Sequence, residues 1–496
     1  MKQRACIKEH NDFVMYGNIR MMVFLATCYM LYVFMKIKFC GAAQNVTGSR
    51  HLLEVNGKKI LLDCGMVQGG NPDEARMQNE HFLFEPSQVD YMVLSHAHID
   101  HVGMTPRLTK QGFRGQIFCT TATKELANVL LLDAAHIQLQ DSKYIQKKFK
   151  TAPEPLFTDH DVQFVIKLMA AYEYRQKFKI CEGVWATFYD AGHVLGSAIT
   201  VFEIKEGNTQ RILIYTGDLG RKYLPILNDP VQVPHGDFLI TESTYGGHLH
   251  GDIKDVSEEL AVLINKVVAR KGKIIIPGFS FERTQEIVYV LHKLYKDNKV
   301  PEIPIFVDSP LSSKISQIFG KFVNYYDDET FRDFLSKKNN PFYFDRVKYI
   351  EAVEESKKLN TFEGSCIIIS SSGMCEAGRI KHHLRNHMGD ANNLIVVVGF
   401  MAKGTRGRQL VDGATKIRIF GQMYPRRAEV AILNAFSAHA DKIELLEYIR
   451  NIKDLKKIFI VHGEVDQSEA LKDNIQEDLK FTGEITVPEL GQEFEI

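Results

Sequence analysis

The chain has 496 residues, 45% hydrophobic and 25% charged, with 61 Lys+Arg against 61 Asp+Glu. That is ordinary globular composition, long enough for two or three domains, and it excludes a disordered or fibrous chain. Zero net charge argues neither for nor against a nucleic-acid partner, so any basic surface must be local, and eight cysteines without a C-x-x-C pair speak against a structural Cys-zinc site or a disulfide framework and suit a reducing cytoplasm.

Along the chain, the first feature is an apolar run, MMVFLATCYMLYVF, at 21–34. It is short of the about 20 apolar residues that a membrane-spanning helix needs, and no small-x-small cleavage site follows. Residues 1–34 therefore read as a non-native extension ahead of a start at Met35, with a membrane tether as the alternative. From 35 to 245 come short β-type runs such as HLLEVNG, KKILLDCG, DYMVLSH, VWATFYDAG, RILIYTGD and DFLITES, interrupted by helical stretches near 123–147 and 159–173. This pattern predicts a mixed α/β layered domain. From 246 to 434 amphipathic helices alternate with apolar strands (KIIIPGF, PIFVDSP, SCIIISS, NLIVVVGF), the pattern of a separate α/β domain with a parallel sheet. The tail, 435–496, holds a helix, DKIELLEYIRNI, and a strand, KKIFIVHGE. Whether the tail rejoins the first domain is open from pattern alone.

The chemistry is densest at SHAHIDH, 95–101, where His96, His98, Asp100 and His101 fall within six residues. Four other apolar strands end in a polar ligand-type or acidic residue: His193, Asp218, Glu242 and His462. Strand carboxyl ends on a common sheet edge are expected to converge on one site. His96, His98 and His193 make one three-nitrogen set, Asp100, His101 and His462 a second, and Asp218 is placed to bridge them. Neutral imidazoles and carboxylates suit zinc, with manganese also compatible. Two such ions about 3.5–4 Å apart share a hydroxide, because they lower the pKa of water to about 7.

The run LLDCG (61–65), HAHIDH (96–101), DAGHVLGS (190–197) and TGD (216–218) resembles the metallo-β-lactamase superfamily. ESTYG (242–246), FSAHAD (436–441) and VHGE (461–464) narrow the resemblance to its β-CASP branch of nucleic-acid-processing nucleases, and PGFSFERTQE, VDSPLS and SSGMCEAGR resemble that branch's inserted domain. The likeness covers about 35–496. It implies an αββα sandwich (35–245, completed by 435–496) with an inserted β-CASP α/β domain (246–434). It implies two Zn2+ per chain held by His96, His98, Asp100, His101, His193, Asp218 and His462, with Mn2+ as the alternative and no organic cofactor. It also implies single-stranded RNA as partner, since a histidine at 462 marks the RNA-type members, and it allows a homodimer in the cytoplasm.

The same resemblance assigns His439 as general acid, Glu242 as the group that holds it protonated, and Asp100 and Asp218 as catalytic ligands. It places Asp63 behind the metal ligands, orienting a histidine or a water. Ser371, Ser372, Gly373, Gly378, Arg379 and Ser437 are expected to face substrate, the glycines admitting backbone N–H groups to a phosphate and Arg379 forking onto its oxygens. Seven cations within 402–427, from Lys403 to Arg427, read either as a phosphate-tracking patch or as a solvated face. His248, His250, His382, His383 and His387 read as surface or groove residues rather than a third metal site. The resulting expectation is a metal-dependent ribonuclease cutting single-stranded RNA internally. The alternatives are a 5′-exonuclease of the same fold, a DNA-acting nuclease, and a non-catalytic RNA-binding subunit.

Overall fold

The computed structural model describes residues 35–496 apart from 70, 150–153, 252, 338–339, 400, 402–403 and 434–436. The apolar run at 21–34 lies outside the described residues. Six strands come first: β1 (Lys36–Gly41), β2 (Arg50–Val55), β3 (Lys58–Leu62), β4 (Tyr91–Val93), β5 (Gln116–Thr120) and β6 (Met169–Tyr172). Asn56 and Gly57, both at positive φ, turn β2 back onto β3, the two-residue hairpin that Asn-Gly favours. A second group follows: β7 (Lys177–Cys181), β8 (Val184–Asp190), β9 (Ala198–Glu206), β10 (Thr209–Tyr215) and β11 (Phe238–Glu242).

The chain then leaves for β12 (Ile274–Pro277), β13 (Ile305–Val307), β14 (Val347–Tyr349), β15 (Ile367–Ser370), β16 (Leu394–Val398), the hairpin β17 (Lys416–Ile419) and β18 (Gln422–Pro425), and β19 (Glu429–Leu433). It returns with β20 (Lys457–Val461), β21 (Glu484–Thr486) and β22 (Glu493–Glu495). The returning strands complete both early sheets, in the orders β22-β1-β2-β3-β4-β5-β6 and β21-β20-β11-β10-β9-β8-β7. Between them lies an apolar layer that includes Ile37, Phe39, Leu53, Phe118, Phe188, Phe202 and Phe459. Helices Lys442–Arg450 and Val465–Asp478 cover the far side of the second sheet through Leu445, Ile449, Leu471 and Ile475. Helices Thr121–Phe149 and Asp159–Leu168 cover the first through Leu126, Val162 and Val165. The result is an αββα sandwich. Ile458, Phe459, Ile460 and Val461 of β20 are all buried. At about 1.5–3 kcal/mol for each such side chain, β20 is firmly held beside β11.

Six of the insertion's eight strands run parallel in the order β14-β13-β15-β12-β16-β19. Both faces of that sheet are buried, as the unbroken apolar runs imply.

Two expectations are corrected here. The helix read at 159–173 ends at Leu168, because Met169–Tyr172 pairs with β5 as a strand. The ligand-bearing strands do not share one sheet edge: β4 belongs to the first sheet, whereas β8, β10, β11 and β20 belong to the second. The site lies where the two sheets meet at one end of the sandwich.

Candidate metal centre and active site

β4 runs into Ser95, His96 and His98, and the short helix Ile99–Val102 then presents Asp100 and His101. His193 follows β8, Asp218 follows β10, Glu242 is the last residue of β11, and His462 follows β20. Two glycines let these segments approach. A Cβ on Gly65 would stand 1.5 Å from the Asp100 carbonyl oxygen, and one on Gly220 would stand 2.0 Å from Gly192. Gly220 therefore lets the His193 loop and the Asp218 loop touch backbone to backbone, with Gly220 N–H donating to the Ala191 carbonyl at 2.7 Å.

Three groups of potential ligand atoms gather, each within 4.8 Å: His96, His98, His193 and Asp218; Asp100, His101 and His462; and Asp218, Glu242 and His439. In the first group His98 Nδ1 lies 3.0 Å from His96 Nε2 and 3.3 Å from His193 Nε2. In the second, His101 Nε2 lies 3.1 Å from His462 Nε2, and Asp100 Oδ2 lies 3.5 Å from that same His462 atom. Asp218 stands between them. Its Oδ2 is 3.6 Å from His96 Nε2 and 3.5 Å from His193 Nε2, and its Oδ1 is 3.2 Å from His101 Nε2.

This set fits divalent cations. Imidazole nitrogens converge on one another, and Asp218 Oδ1 is buried without a hydrogen bond. Burial pulls the pKa of His96, His98 and His193 down, His98 to about 4, so their nitrogens present neutral lone pairs. Burial alone would raise Asp218, but His101, His462 and His96 outweigh it and keep the carboxylate ionised. Burial would likewise pull His101 down, but Asp218 and Asp63 hold it well above its usual range.

Behind the ligands sits Asp63, fully buried at φ +58. Its Oδ1 accepts from Ser95 N–H at 2.7 Å, and its Oδ2 accepts from Ser95 Oγ at 2.7 Å and Tyr215 Oη at 2.6 Å. The same Oδ2 lies 2.7 Å from His101 Nδ1, which turns the other ring nitrogen toward His462. His462 itself takes φ +50, and its N–H donates to the Ala42 carbonyl while Thr244 Oγ1 donates to its own carbonyl.

His439 flanks the centre. Its Nδ1 lies 2.9 Å from Glu242 Oε2 and 3.0 Å from Oε1. Glu242 is fully buried and also accepts from Leu219 N–H at 2.7 Å. Burial lowers the His439 imidazolium, but Glu242, with Asp218 and Asp100, outweighs this and lifts it to about 9. Its side chain keeps 21% exposure against 2% for Asp218. Asp441, two residues on, caps helix Lys442–Arg450 in a capping box with Glu444.

The expected substrate residues divide. Ser371 Oγ donates to Ser309 Oγ at 3.2 Å, and Ser309 Oγ lies 3.3 Å from Ser280 Oγ. Phe281, the next residue, packs edge-on against His98 with ring centres 5.1 Å apart. Ser372 Oγ accepts from the N–H groups of Glu376 and Ala377, Gly373 faces the Phe279 ring, and Gly378 takes φ +71. Ser437 is largely buried. Arg379 has protein partners: its Nη1 donates to Asp308 Oδ1 at 2.6 Å and the Ile350 carbonyl at 3.1 Å, and its Nη2 donates to the Glu351 carbonyl at 2.6 Å. The guanidinium thus anchors the loop through Nη1 and Nη2. His383 and His387 are corrected. Both are buried, and His383 Nε2 lies 2.6 Å from Asp308 Oδ2.

The 402–427 cations do not form one open track. Arg406 pairs with Glu376, Arg408 pairs with Asp412, and Arg426 donates to the carbonyls of Ala414, Ala428 and Gly413. Lys416, Arg418 and Arg427 are exposed, and Lys403 lies outside the described residues. Sequence reasoning missed Tyr215, Phe281 and Glu282. Glu282, fully enclosed at φ +65, accepts from Leu195 N–H at 3.3 Å in the His193 loop. Nothing local in the sequence marks that contact.

Comparison with known proteins follows the same division. Residues 52–227 match the metallo-beta-lactamase superfamily domain, 284–410 the Beta-Casp domain, and 423–488 the Zn-dependent metallo-hydrolase RNA specificity domain. Ribonuclease TTHA0252 of Thermus thermophilus is 36% identical over 88% of this chain and 95% of its own length. Cleavage and polyadenylation specificity factor 73 of Drosophila melanogaster is 31% identical over 88% of this chain and 61% of its own. A crystal structure of a protein of unknown function from Enterococcus faecalis shares the fold at TM-score 0.55 and 14% identity, covering 94% of this chain and 100% of that one. With the sandwich, the insertion and the clustered imidazoles, these matches show that the chain belongs to the β-CASP family of RNA-processing nucleases within the metallo-β-lactamase superfamily.

Proposed function

We propose that this metal-dependent RNA nuclease cuts single-stranded RNA internally, with two zinc ions per chain and His439 as general acid. The observation that carries the reading is the His439–Glu242 pair, set beside Asp218, which lies between the two groups of imidazoles. His96, His98 and His193 would hold one ion and Asp100, His101 and His462 the other, with Asp218 shared. Bound there, the ions acidify a water and neutralise charge on the phosphate.

The protein's own part is positional. Asp63 and Thr244 fix the ring orientation of His101 and His462. Glu242 holds His439 by Nδ1 and keeps it protonated at neutral pH, which leaves Nε2–H to protonate the departing oxygen. Gly373, Gly378 and the hydroxyls of Ser371 and Ser372 present the substrate-facing loop, and Ser437 lies beside His439 in the chain. The domains of this reading are 35–245 with 435–496, and 246–434. The six cysteines among the described residues are buried and free, which favours a reducing cytoplasm. Among the described residues no helix is long and apolar enough to cross a membrane.

The test uses single-stranded RNA labelled at its 5′ end, with metal-loaded wild type and His439→Ala side by side. Internal fragments from the wild type alone support the reading. Mononucleotides alone would assign an exonuclease.

A further inference from the structure

In the β-CASP domain, hairpin β17–β18 lies against helix Ile380–His387. Ile417 and Ile419 are fully buried in the same cluster as Ile380 and Leu384. The alternation that buries them turns Lys416 and Arg418 outward. At the tip, Phe420 at φ 49 and Gly421 at φ 82 form a two-residue turn between Ile419 and Gln422. That backbone suits Asn-Gly, and a bulky side chain in the left-handed region is a genuine outlier. Burial does not account for it, because Phe420 is 46% exposed.

The surroundings of the ring are cationic. Lys381 Nζ lies 4.9 Å and Arg385 Cζ 5.7 Å from its centre, and the His382 ring lies 4.6 Å away. These three residues follow Arg379, which anchors the 371–379 loop to Asp308. Arg406 ties the same loop to the hairpin, pairing with Glu376 and donating from Nε to the Arg418 carbonyl at 2.7 Å. Glu376 is thereby occupied, and Asp412 is taken by Arg408.

We propose that Phe420, with Lys381, His382 and Arg385, is a stacking subsite for an unpaired base of an RNA strand that has passed the 371–379 loop. An exposed aromatic ring accepts the face of any base, and neighbouring cations attract the flanking phosphates. The subsite rests on the RNA-nuclease reading and deepens it, since a strand gripped beyond the cleft is one that extends past the cut. The competing account makes Phe420 an apolar cover for the stems of Lys381 and Arg385, which would affect stability and leave RNA untouched.

The experiment measures kcat and KM of the full-length, metal-loaded protein on two single-stranded RNAs, one confined to the metal cleft and one extending beyond it. Phe420→Asn supplies the residue the turn prefers, so it folds. It is expected to raise KM for the long RNA about tenfold, with kcat and the short RNA unaffected. Phe420→Trp restores the affinity, and Lys381→Ala with Arg385→Ala flattens the salt dependence of KM. Equal effects on both RNAs, or none on either, overturn the subsite and leave the nuclease reading intact. So does a changed sedimentation profile at unaltered KM, which would assign the patch to protein contact. Failure of the wild type to cut either RNA would bring down the nuclease reading as well.

Discussion

Nδ1 of His439 lies 2.9 Å from Oε2 of a Glu242 that has no exposed surface. A buried carboxylate stabilises the imidazolium, so the ring stays protonated below about pH 9 and loses its proton as pH rises through that value. The expected pH–rate profile holds through neutrality and falls on the alkaline side near 9. In Glu242→Gln the fall moves toward 6.5, the ordinary histidine value. His439→Ala is expected to lower kcat about 10²- to 10⁴-fold with metal content unchanged. Metal loss in that variant would end its assignment as a proton donor.

His98→Ala and His462→Ala should each remove one ion, because they belong to different ligand groups. Plasma mass spectrometry of the purified variants gives the count. Metal uptake is also expected to release a proton, since His101 is held in its charged form until a cation displaces it. Calorimetry in buffers of different ionisation enthalpy reads that proton. An unchanged heat would show that no proton leaves His101 when the metal enters.

Asp63→Asn keeps the shape and tolerates φ +58. It removes the carboxylate oxygen that His101 Nδ1 faces and that Ser95 Oγ and Tyr215 Oη donate to. Weaker metal binding, by about 10- to 100-fold, is expected from competition with a chelating dye, with the fold intact by circular dichroism. Native affinity would show that Asp63 serves only the turn.

Gly65→Ala drives a methyl group into the Asp100 carbonyl. The expected loss is about 1–3 kcal/mol in urea unfolding, together with loss of the ion proposed for the Asp100, His101 and His462 group. An unaltered midpoint would mean that the loop relaxes freely.

Much of this site is legible in the sequence, and the remainder is illegible for physical reasons. His96 to His101 lie on one strand end and one helical turn, so their spacing alone shows a cluster. His101 and His462 are 361 positions apart, and only motif resemblance links them. Alternation tells which side chains are buried but not which sheet buries them. For that reason β4 reads as a neighbour of β8 and β10, although it faces them across the core. Met169–Tyr172 is too short for its period to distinguish strand from helix. His383 and His387, in contrast, were readable: with Ile380 and Leu384 they fall at i, i+3, i+4 and i+7, the buried stripe of a helix. A run of polar letters obscures that stripe. Arg379 shows the converse, for nothing near it in sequence marks Asp308, 71 positions away, as its partner.

The detour of the chain through the β-CASP domain orders events in time. His439 and His462 are made last, and β20 takes its place beside β11 only once the insertion has been synthesised. A product that ended within the insertion would carry His96, His98 and His193 but neither His439 nor His462. On the proposed roles of His439 and His462, the topology ties activity to the return of the chain from the insertion, when β20 pairs with β11.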